Sequence, residues 1–159
     1  MNTSFAIREA SSLDAPEITT MLGELLTEIM QRSSQQAFNF DFSGTQSRLE
    51  DFLRKGQFVV FIARSDAGQP VGFIALCESY ALYTEGVFGI IPEFYVRPEF
   101  RKQRLGKCLL LRAKELATAR GWKRLEVTTP PLPQFDKTRA FYEREGFSIS
   151  GGRKLKMSL

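Results

Sequence analysis

The sequence predicts an α/β fold, in which a mixed sheet packs with helices in one layered domain. Runs of strand length alternate with runs of helical period in the order β-α-α-β-β-β-α-β-α-β-β, and neither an internal repeat nor a linker interrupts them. The 159 residues are enough for one domain with a substantial core. Hydrophobic residues (43%) and charged residues (25%) have ordinary globular frequencies, which excludes a disordered or fibrous chain. We therefore expect a single domain over residues 1–159.

The first part of the chain is predicted to form a strand and a long helix. Residues 4–9 alternate between apolar and polar side chains, which is the period of a half-buried strand. Asp14 and Glu17 have the spacing of a capping box, and apolar residues then recur at helical spacing. This helix is expected to end near Met30.

The next part is predicted to form a short helix and a β-hairpin. The polar and then aromatic segment 31–42 is expected to be irregular, and a helix follows from about residue 45 to 54, before Gly56 stops it. Two β-rich runs, 58–64 and 71–80, are joined by S-D-A-G-Q-P, which holds the residues that a hairpin turn needs.

A third β-rich run covers residues 87–96 and leads towards the second long helix. Pro92 interrupts this run and has no N–H to donate, so a bulge or an edge position is expected there. Apolar residues recur at helical spacing over 104–120, and Gly121 follows directly. Residues 124–128 are then predicted to form a strand.

The last part begins with a rigid P-P-L-P bend. A helix is predicted from about residue 137 to 145, closed by Gly146. Two short strands are expected to follow around Gly151 and Gly152.

The composition restricts the chemistry that this chain can perform. It contains no histidine, which excludes a Ser-His-Asp triad, a Cys-His pair and any His-ligated metal site, and we expect no metal cofactor. Cys77 and Cys108 each lie in an apolar run and are predicted to be buried free thiols. No run approaches the roughly 20 apolar residues of a membrane span, and the first ten residues lack a secretion signal pattern. We therefore expect a cytoplasmic protein that has no membrane partner.

A basic cluster marks the junction between the third β-rich run and the second long helix. Its five cations are Arg97, Arg101, Lys102, Arg104 and Lys107. They indicate a polyanionic ligand, with a solvated basic face as the alternative. A basic loop that runs directly into a helix suits a phosphate, because unpaired N–H groups and the positive end of the helix dipole meet there. A P-loop requires glycine at residue 101 and Ser or Thr at residue 108, but this chain has Arg101 and Cys108, which excludes a P-loop.

This loop resembles the pyrophosphate loop of the GNAT superfamily of acyl-CoA-dependent N-acyltransferases, which reads R/Q-x-x-G-x-G/A at the start of the central helix. Arg101, Leu105 and Gly106 match that pattern. Arg104 stands where the first glycine usually lies. We expect Arg104 to keep φ below zero and to add its guanidinium to phosphate binding.

A second motif near the end of the chain is also similar to that family. Residues 139–147 read R-A-F-Y-E-R-E-G-F, and Phe141, Tyr142 and Gly146 are in register with the family's late motif. Thr138 takes the usual small-residue position. The alternative is that the two aromatic residues are core side chains of an amphipathic helix.

The resemblance implies a mostly antiparallel sheet and an enzyme that transfers the acetyl group of acetyl-CoA to an amine by direct attack. It implies that Tyr142 protonates the departing thiolate and that residues 94–96 splay from a neighbouring strand to pair with the pantetheine arm. Glu93 is our candidate base, because the resemblance places the acyl carbonyl near it. The alternative is an exposed glutamate beside a proline bulge. The implied acetyl-CoA contacts are Phe94, Tyr95, Val96, Arg101, Lys102, Gln103, Arg104, Leu105, Gly106, Lys107, Thr138 and Phe141.

Two aromatic segments, 38–42 and 80–88, are candidates for an acceptor cage around a cationic amine. Their aromatic and acidic members are Phe38, Phe40, Phe42, Tyr80, Tyr83, Phe88, Asp41 and Glu85. Core packing of half of them is the alternative, and the acceptor is either a small amine or a peptide or protein amine.

Two other function classes stay open. One is an acetyl-CoA-binding sensor without turnover. The other is a nucleic-acid binder, which ranks last because the sequence has neither an RNA-binding signature nor zinc ligands. A homodimer is common among proteins of this kind and is a candidate assembly.

Overall fold

The structure, a computed structural model, describes residues 3–36 and 38–159. Ala37, part of the segment that was predicted to be irregular, lies outside the described residues. The chain divides into two compact units, the first ending at Thr128 and the second covering Thr129–Leu159. One domain over residues 1–159 stays a prediction. Within the described residues, no helix combines the length and the apolar character needed to cross a membrane.

The first unit is built on a six-stranded sheet. Its strands are β1 (Phe5–Glu9), β2 (Val59–Ser65), β3 (Pro70–Ala81), β4 (Gly86–Ile91), β5 (Phe94–Val96) and β6 (Leu125–Val127). The strand order is β1-β2-β3-β4-β6, and β5 pairs with β3. All pairs are antiparallel except β4 with β6, which is parallel. The predicted mixed, mostly antiparallel sheet is therefore confirmed.

Three helices of the first unit cover the two faces of this sheet. They are α1 (Ala15–Ser33), α2 (Phe42–Arg54) and α3 (Leu105–Ala119). Alternate strand residues such as Ile62 and Phe73 form one core with Ile18 of α1 and Leu49 of α2. A Cβ on Gly72, which belongs to the other face, would lie 3.4 Å from Leu109 of α3. Alternation along the strands thus assigns α1 and α2 to one face and α3 to the opposite face.

The cap of α1 differs from the prediction. Ser11 and Asp14 form the capping box one turn earlier, with Ser11 N–H donating to Asp14 Oδ2 at 2.8 Å. The predicted box of Asp14 and Glu17 is wrong, because the Asp14 carboxylate is already bonded to Ser11 and to the guanidinium groups of Arg8 and Arg64. Glu17 instead accepts a hydrogen bond from Arg64 at 2.8 Å.

The proline in the third β-rich run produces the expected bulge. Ile90 pairs with Cys77, and Phe94 pairs with Ile74, so four steps along one strand oppose three along the other. The extra residue falls around Pro92, which has no N–H for the ladder. The predicted single run is therefore two strands, β4 and β5, both paired with β3.

The second unit contains one helix, α4 (Asp136–Arg144), which confirms the predicted helix. The two short strands predicted around Gly151 and Gly152 are wrong, since no strand is assigned among described residues 145–159. Residues 148–159 are exposed, and Leu155 and Met157 are 92% and 83% accessible. Their alternating apolar pattern has the period of a strand, but among the described residues no strand pairs with this segment.

Candidate active site

The loop between β5 and α3 has a backbone suited to an anion. Lys102 (φ +64°) and Arg104 (φ +66°) are both left-handed, while Arg101, Gln103 and Leu105 have negative φ. Arg104 is left-handed and the next residue, Leu105, is right-handed helical, a pairing that turns successive N–H groups towards one concave point, which binds anions. The expectation that Arg104 keeps φ below zero is wrong. Arg104 instead has the backbone conformation that favours glycine, the usual residue at this position.

The first turn of α3 supplies further N–H donors. Cys108 N–H donates to Arg104 O at 3.0 Å and makes the first bond of the helix. The N–H groups of Leu105, Gly106 and Lys107 precede that bond and point out of the helix end. The N-cap Arg104 makes no side-chain bond to them, and the first turn has no acidic residue. The positive end of the helix dipole therefore faces the same point as the loop.

The cations of this loop divide into two groups. Arg101 donates to both carboxylate oxygens of Glu28 at 2.9 and 2.7 Å, and its Nε donates to Val96 O at 2.8 Å. These bonds fasten the loop to α1, so the partly exposed Arg101 guanidinium is already paired with a carboxylate. The bond from Arg101 is also the largest cause that lowers the pKa of Glu28.

Three other cations keep their side chains available. Lys102, Arg104 and Lys107 are exposed, and none of the three has an ion pair among the described residues. Gln103 is exposed and donates to Glu99 O at 3.3 Å. The predicted loop residues thus surround one candidate phosphate site, with Arg101 as its support.

Strand β5 pairs with β3 along one of its two edges beside the loop, and on the other edge Val96 O accepts a hydrogen bond from Arg101 Nε. Ala75 N–H donates to Glu93 O, and Arg97 N–H donates to Val71 O, both at 2.9 Å. By antiparallel alternation, the N–H of Tyr95 turns towards β3 and the N–H of Val96 turns to the opposite edge. The parallel pairing of β4 with β6 ends at Ile91 and Val127. Within residues 3–36 and 38–159, β3 is the strand that pairs with β5, so an extended ligand can align along the opposite edge.

Glu93 lies in the bulge between β4 and β5 and is half-buried. Burial raises the pKa of its carboxyl group to about 7. A carboxyl group with this pKa exchanges a proton at neutral pH, which an exposed glutamate does not do. The alternative of an exposed residue beside the proline is therefore wrong. Glu93 also adds to burial in raising the pKa of the half-buried Cys77 thiol.

Glu93 lines a cavity of about 160 Å³ between the sheet and helices α1 and α2. No sequence signal marked this cavity, because its walls come from distant parts of the chain. Its other lining residues are Ile18, Leu22, Thr45, Arg48, Leu49, Phe52, Phe58, Val60, Phe73 and Ala75.

The aromatic segments that were candidates for an acceptor cage have mixed roles. Phe38 and Phe42 are partly exposed, whereas Phe88 is buried in the core. Asp41 caps α2 by accepting a hydrogen bond from Gly44 N–H at 2.9 Å. Asp41 and Phe88 therefore have structural roles, which agrees with the alternative that part of the cage candidates pack in the fold.

The second cysteine also differs from its prediction. Cys108 is exposed on α3, because the buried face of this helix passes through Leu105, Leu109 and Ala113. The prediction of a buried thiol is wrong for Cys108.

The second unit contains Tyr142 on α4. Its side chain is buried and packs against the rings of Phe141 and Phe147, with centroid separations of 5.5 and 5.4 Å. Burial raises the pKa of the Tyr142 hydroxyl. The hydroxyl is therefore protonated at neutral pH and is able to donate. Thr138, one turn earlier, is half-buried.

Comparisons with known proteins agree with this geometry. The model of the family described as an acetyltransferase (GNAT) domain matches residues 56–149, more than half of the chain. A putative acetyltransferase from Arthrobacter sp. FB24 is 28% identical, with 97% of this chain and 92% of that one covered and a TM-score of 0.73. No curated protein matches the chain in sequence.

Two further solved structures share the fold at lower identity. A predicted acetyltransferase from Clostridium acetobutylicum, solved with acetyl-CoA, is 16% identical over 98% of this chain and 96% of that one, with a TM-score of 0.79. An aminoglycoside acetyltransferase, meta-AAC0020, from an uncultured soil metagenomic sample is 18% identical over 98% of this chain and 96% of that one, with a TM-score of 0.76.

Proposed function

Since the chain belongs to the acetyltransferase (GNAT) domain family and is an N-acetyltransferase, we propose that it transfers the acetyl group of acetyl-CoA to a primary amine. The observation that carries this proposal is the loop with left-handed residues Lys102 and Arg104, which leads into the N-terminus of α3. We further propose direct attack of the amine within a ternary complex, in the cytoplasm, by a protein that forms a homodimer.

The pyrophosphate of acetyl-CoA is proposed to bind to this loop. The N–H groups of residues 102–107 are proposed to donate to the phosphate oxygens. The side chain of the N-cap residue Arg104 does not accept a hydrogen bond from the helix N-terminus and so does not compete with the phosphate. Lys102, Arg104 and Lys107 add charge-assisted hydrogen bonds. The pantetheine arm then aligns along the outer edge of β5, where the N–H of Val96 is directed.

The amine must lose a proton before its lone pair can attack. For an amine with a pKa of about 10.4, this costs about 4.6 kcal/mol at pH 7. Glu93 is proposed as the base, acting directly or through a water molecule. Its pKa of about 7 supports this role, because a base is most effective when its pKa lies near the working pH.

The reaction then proceeds in one transfer. The nitrogen lone pair forms a bond to the carbonyl carbon of the thioester, and the carbon–sulfur bond breaks with its electron pair on sulfur. Glu93 takes the first proton from the ammonium before attack and passes it to water, and it takes the second proton from nitrogen as the amide forms. Tyr142 is proposed to donate a proton to the sulfur and to regain one from water. The products are an amide and CoA. The role of Tyr142 rests on its position in the late family motif, in the second unit.

Thiol release from acetyl-CoA in the presence of a panel of primary amines tests this proposal. We expect amine-dependent release by the wild-type protein and much slower release by Glu93→Gln at pH 7. Glu9→Gln serves as a matched control, because Glu9 is an exposed glutamate of β1. Binding of acetyl-CoA without release for any amine would identify an idle sensor module instead.

A further inference from the structure

We propose that the acceptor is a compact primary monoamine whose apolar group has the size of one aromatic ring, and that the cavity beside Glu93 binds this group. The proposal rests on the proposed function, since it takes Glu93 as the group that receives the proton of the amine. It names an acceptor class, which membership of the family leaves open.

The cavity has the size and the walls that such a group needs. Its volume is about 160 Å³, and a dry apolar cavity of about 150 Å³ accepts one benzene ring. Ile18 and Leu22 of α1, Leu49 and Phe52 of α2, and Phe73 of β3 line it with apolar side chains. A ring-sized group therefore buries apolar surface against these side chains.

Glu93 determines which of the two substrates reaches the cavity. Its carboxylate accepts hydrogen bonds from an amine or ammonium, whereas it repels the carbonyl oxygen of a thioester. A long acyl chain in the cavity would leave this carboxylate against carbon without a hydrogen bond, which costs free energy. The nitrogen of the acceptor therefore lies at Glu93, and the apolar group bonded to it extends between the helices.

Arg48 limits the number of amines on the acceptor. It lines the same cavity, is exposed, and donates to Thr45 Oγ1 at 3.2 Å. Of the described residues that line the cavity, Glu93 is the one carboxylate and Arg48 the one cation. A second ammonium group would meet a guanidinium and no second carboxylate. The lining thus favours a monoamine over a polyamine or an aminoglycoside.

Calorimetric titration of the full chain at pH 8, with and without CoA, tests the acceptor class directly. The probes are 2-phenylethylamine, ethylamine and spermidine. We expect 2-phenylethylamine to bind about tenfold to a hundredfold more tightly than ethylamine, the ratio for burying a ring-sized apolar group. Spermidine is expected to bind no more tightly than ethylamine. Equal affinities for 2-phenylethylamine and ethylamine, tightest binding of spermidine, or no binding of any probe would overturn the proposal.

A narrowed cavity supplies the matched test. Ala75→Val adds two methyl groups to the wall on β3, where a β-branched residue suits the strand. It should weaken 2-phenylethylamine binding at least about tenfold and leave ethylamine binding nearly unchanged. Ala63→Val is the control, because Ala63 pairs with Gly72 on the face covered by α3. Equal losses in both variants, or no loss in Ala75→Val, would contradict the cavity assignment.

A widened cavity keeps the proposal testable if Ala75→Val does not fold. Phe52→Leu removes part of a wall, so it should bind 2-(2-naphthyl)ethylamine more tightly than the wild-type protein does. No gain for this larger amine would count against the proposal.

Thiol release separates this proposal from the proposed function. Binding of 2-phenylethylamine that Ala75→Val weakens, without thiol release from acetyl-CoA, supports the cavity assignment and contradicts the proposed function. Thiol release with spermidine in preference to 2-phenylethylamine, unaffected by Ala75→Val, supports the proposed function and contradicts the cavity assignment.

Discussion

Replacing Arg104 with glycine should stabilise the protein, although it removes a charged side chain. Arg104 has φ +66°, where a Cβ approaches the following carbonyl oxygen and costs about 1–2 kcal/mol. Glycine relieves this strain but loses about 0.4–1 kcal/mol through the larger freedom of the unfolded chain. The difference leaves a net gain of about 0.5–1 kcal/mol in the free energy of unfolding. At this chain length, such a gain raises Tm by roughly 1–4 °C.

Arg104→Ala is the control for this prediction. It removes the same guanidinium and keeps the Cβ, so the strain persists and Tm should not rise. Urea unfolding and thermal melting of the three proteins measure the effect, and acetyl-CoA titration of both variants measures the loss of the charge alone. An alanine variant as stable as the glycine variant would refute the left-handed conformation at this residue.

Four further predictions concern the base, the buried aspartate, the loop support and the acid. Glu93→Gln should remove the rise of kcat/KM through pH 7, and its rate deficit should shrink at high pH, where the amine is already deprotonated; pH–rate profiles measure both. In the wild-type protein, folding raises the pKa of the Glu93 carboxyl group, so the free energy of unfolding falls as pH rises through 7. Urea unfolding of Glu93→Gln should not show this fall. The hydrogen bond from Arg8 is the largest cause that lowers the Asp14 pKa to about 2. Asp14→Asn should therefore lower the free energy of unfolding by about 2 kcal/mol at pH 7. In urea unfolding this deficit should shrink as pH falls from 4 to 2. A double-mutant cycle of Arg101→Gln and Glu28→Gln should give about 1 kcal/mol of coupling by urea unfolding, since the pair is partly exposed. Tyr142→Phe should lower kcat about a hundredfold with little change in KM for acetyl-CoA in steady-state kinetics.

Local features of the molecule could be predicted from the sequence where one residue type decides the backbone. Pro92 has no N–H to donate, so it interrupts the hydrogen-bond ladder of a strand, and the bulge predicted there is present between β4 and β5. Gly121 and Gly146 end α3 and α4 with φ values of +71° and +102°, as helix-terminating glycines do. The order of strands and helices up to α4 depended on such signals and on hydrophobic period.

Features that depend on distant contacts could not be predicted in this way. The partner of Arg101 is Glu28, 73 residues earlier, and Glu17 leaves the predicted capping box to pair with Arg64, 47 residues later. The burial of Glu93 comes from two helices that precede it by more than 35 residues. The two strands expected around Gly151 and Gly152 gave the opposite error, because a strand also needs a ladder partner, which the local sequence does not supply.

Acetyl transfer from acetyl-CoA to an amine can be tested by quantifying both products of one reaction. Wild-type protein, acetyl-CoA and 2-phenylethylamine are incubated at pH 8, and the amide and CoA are measured together by mass spectrometry. We expect equal amounts of amide and CoA, formed at a rate that falls sharply in Glu93→Gln. Bound acetyl-CoA with no amide from this or any other primary amine would contradict it.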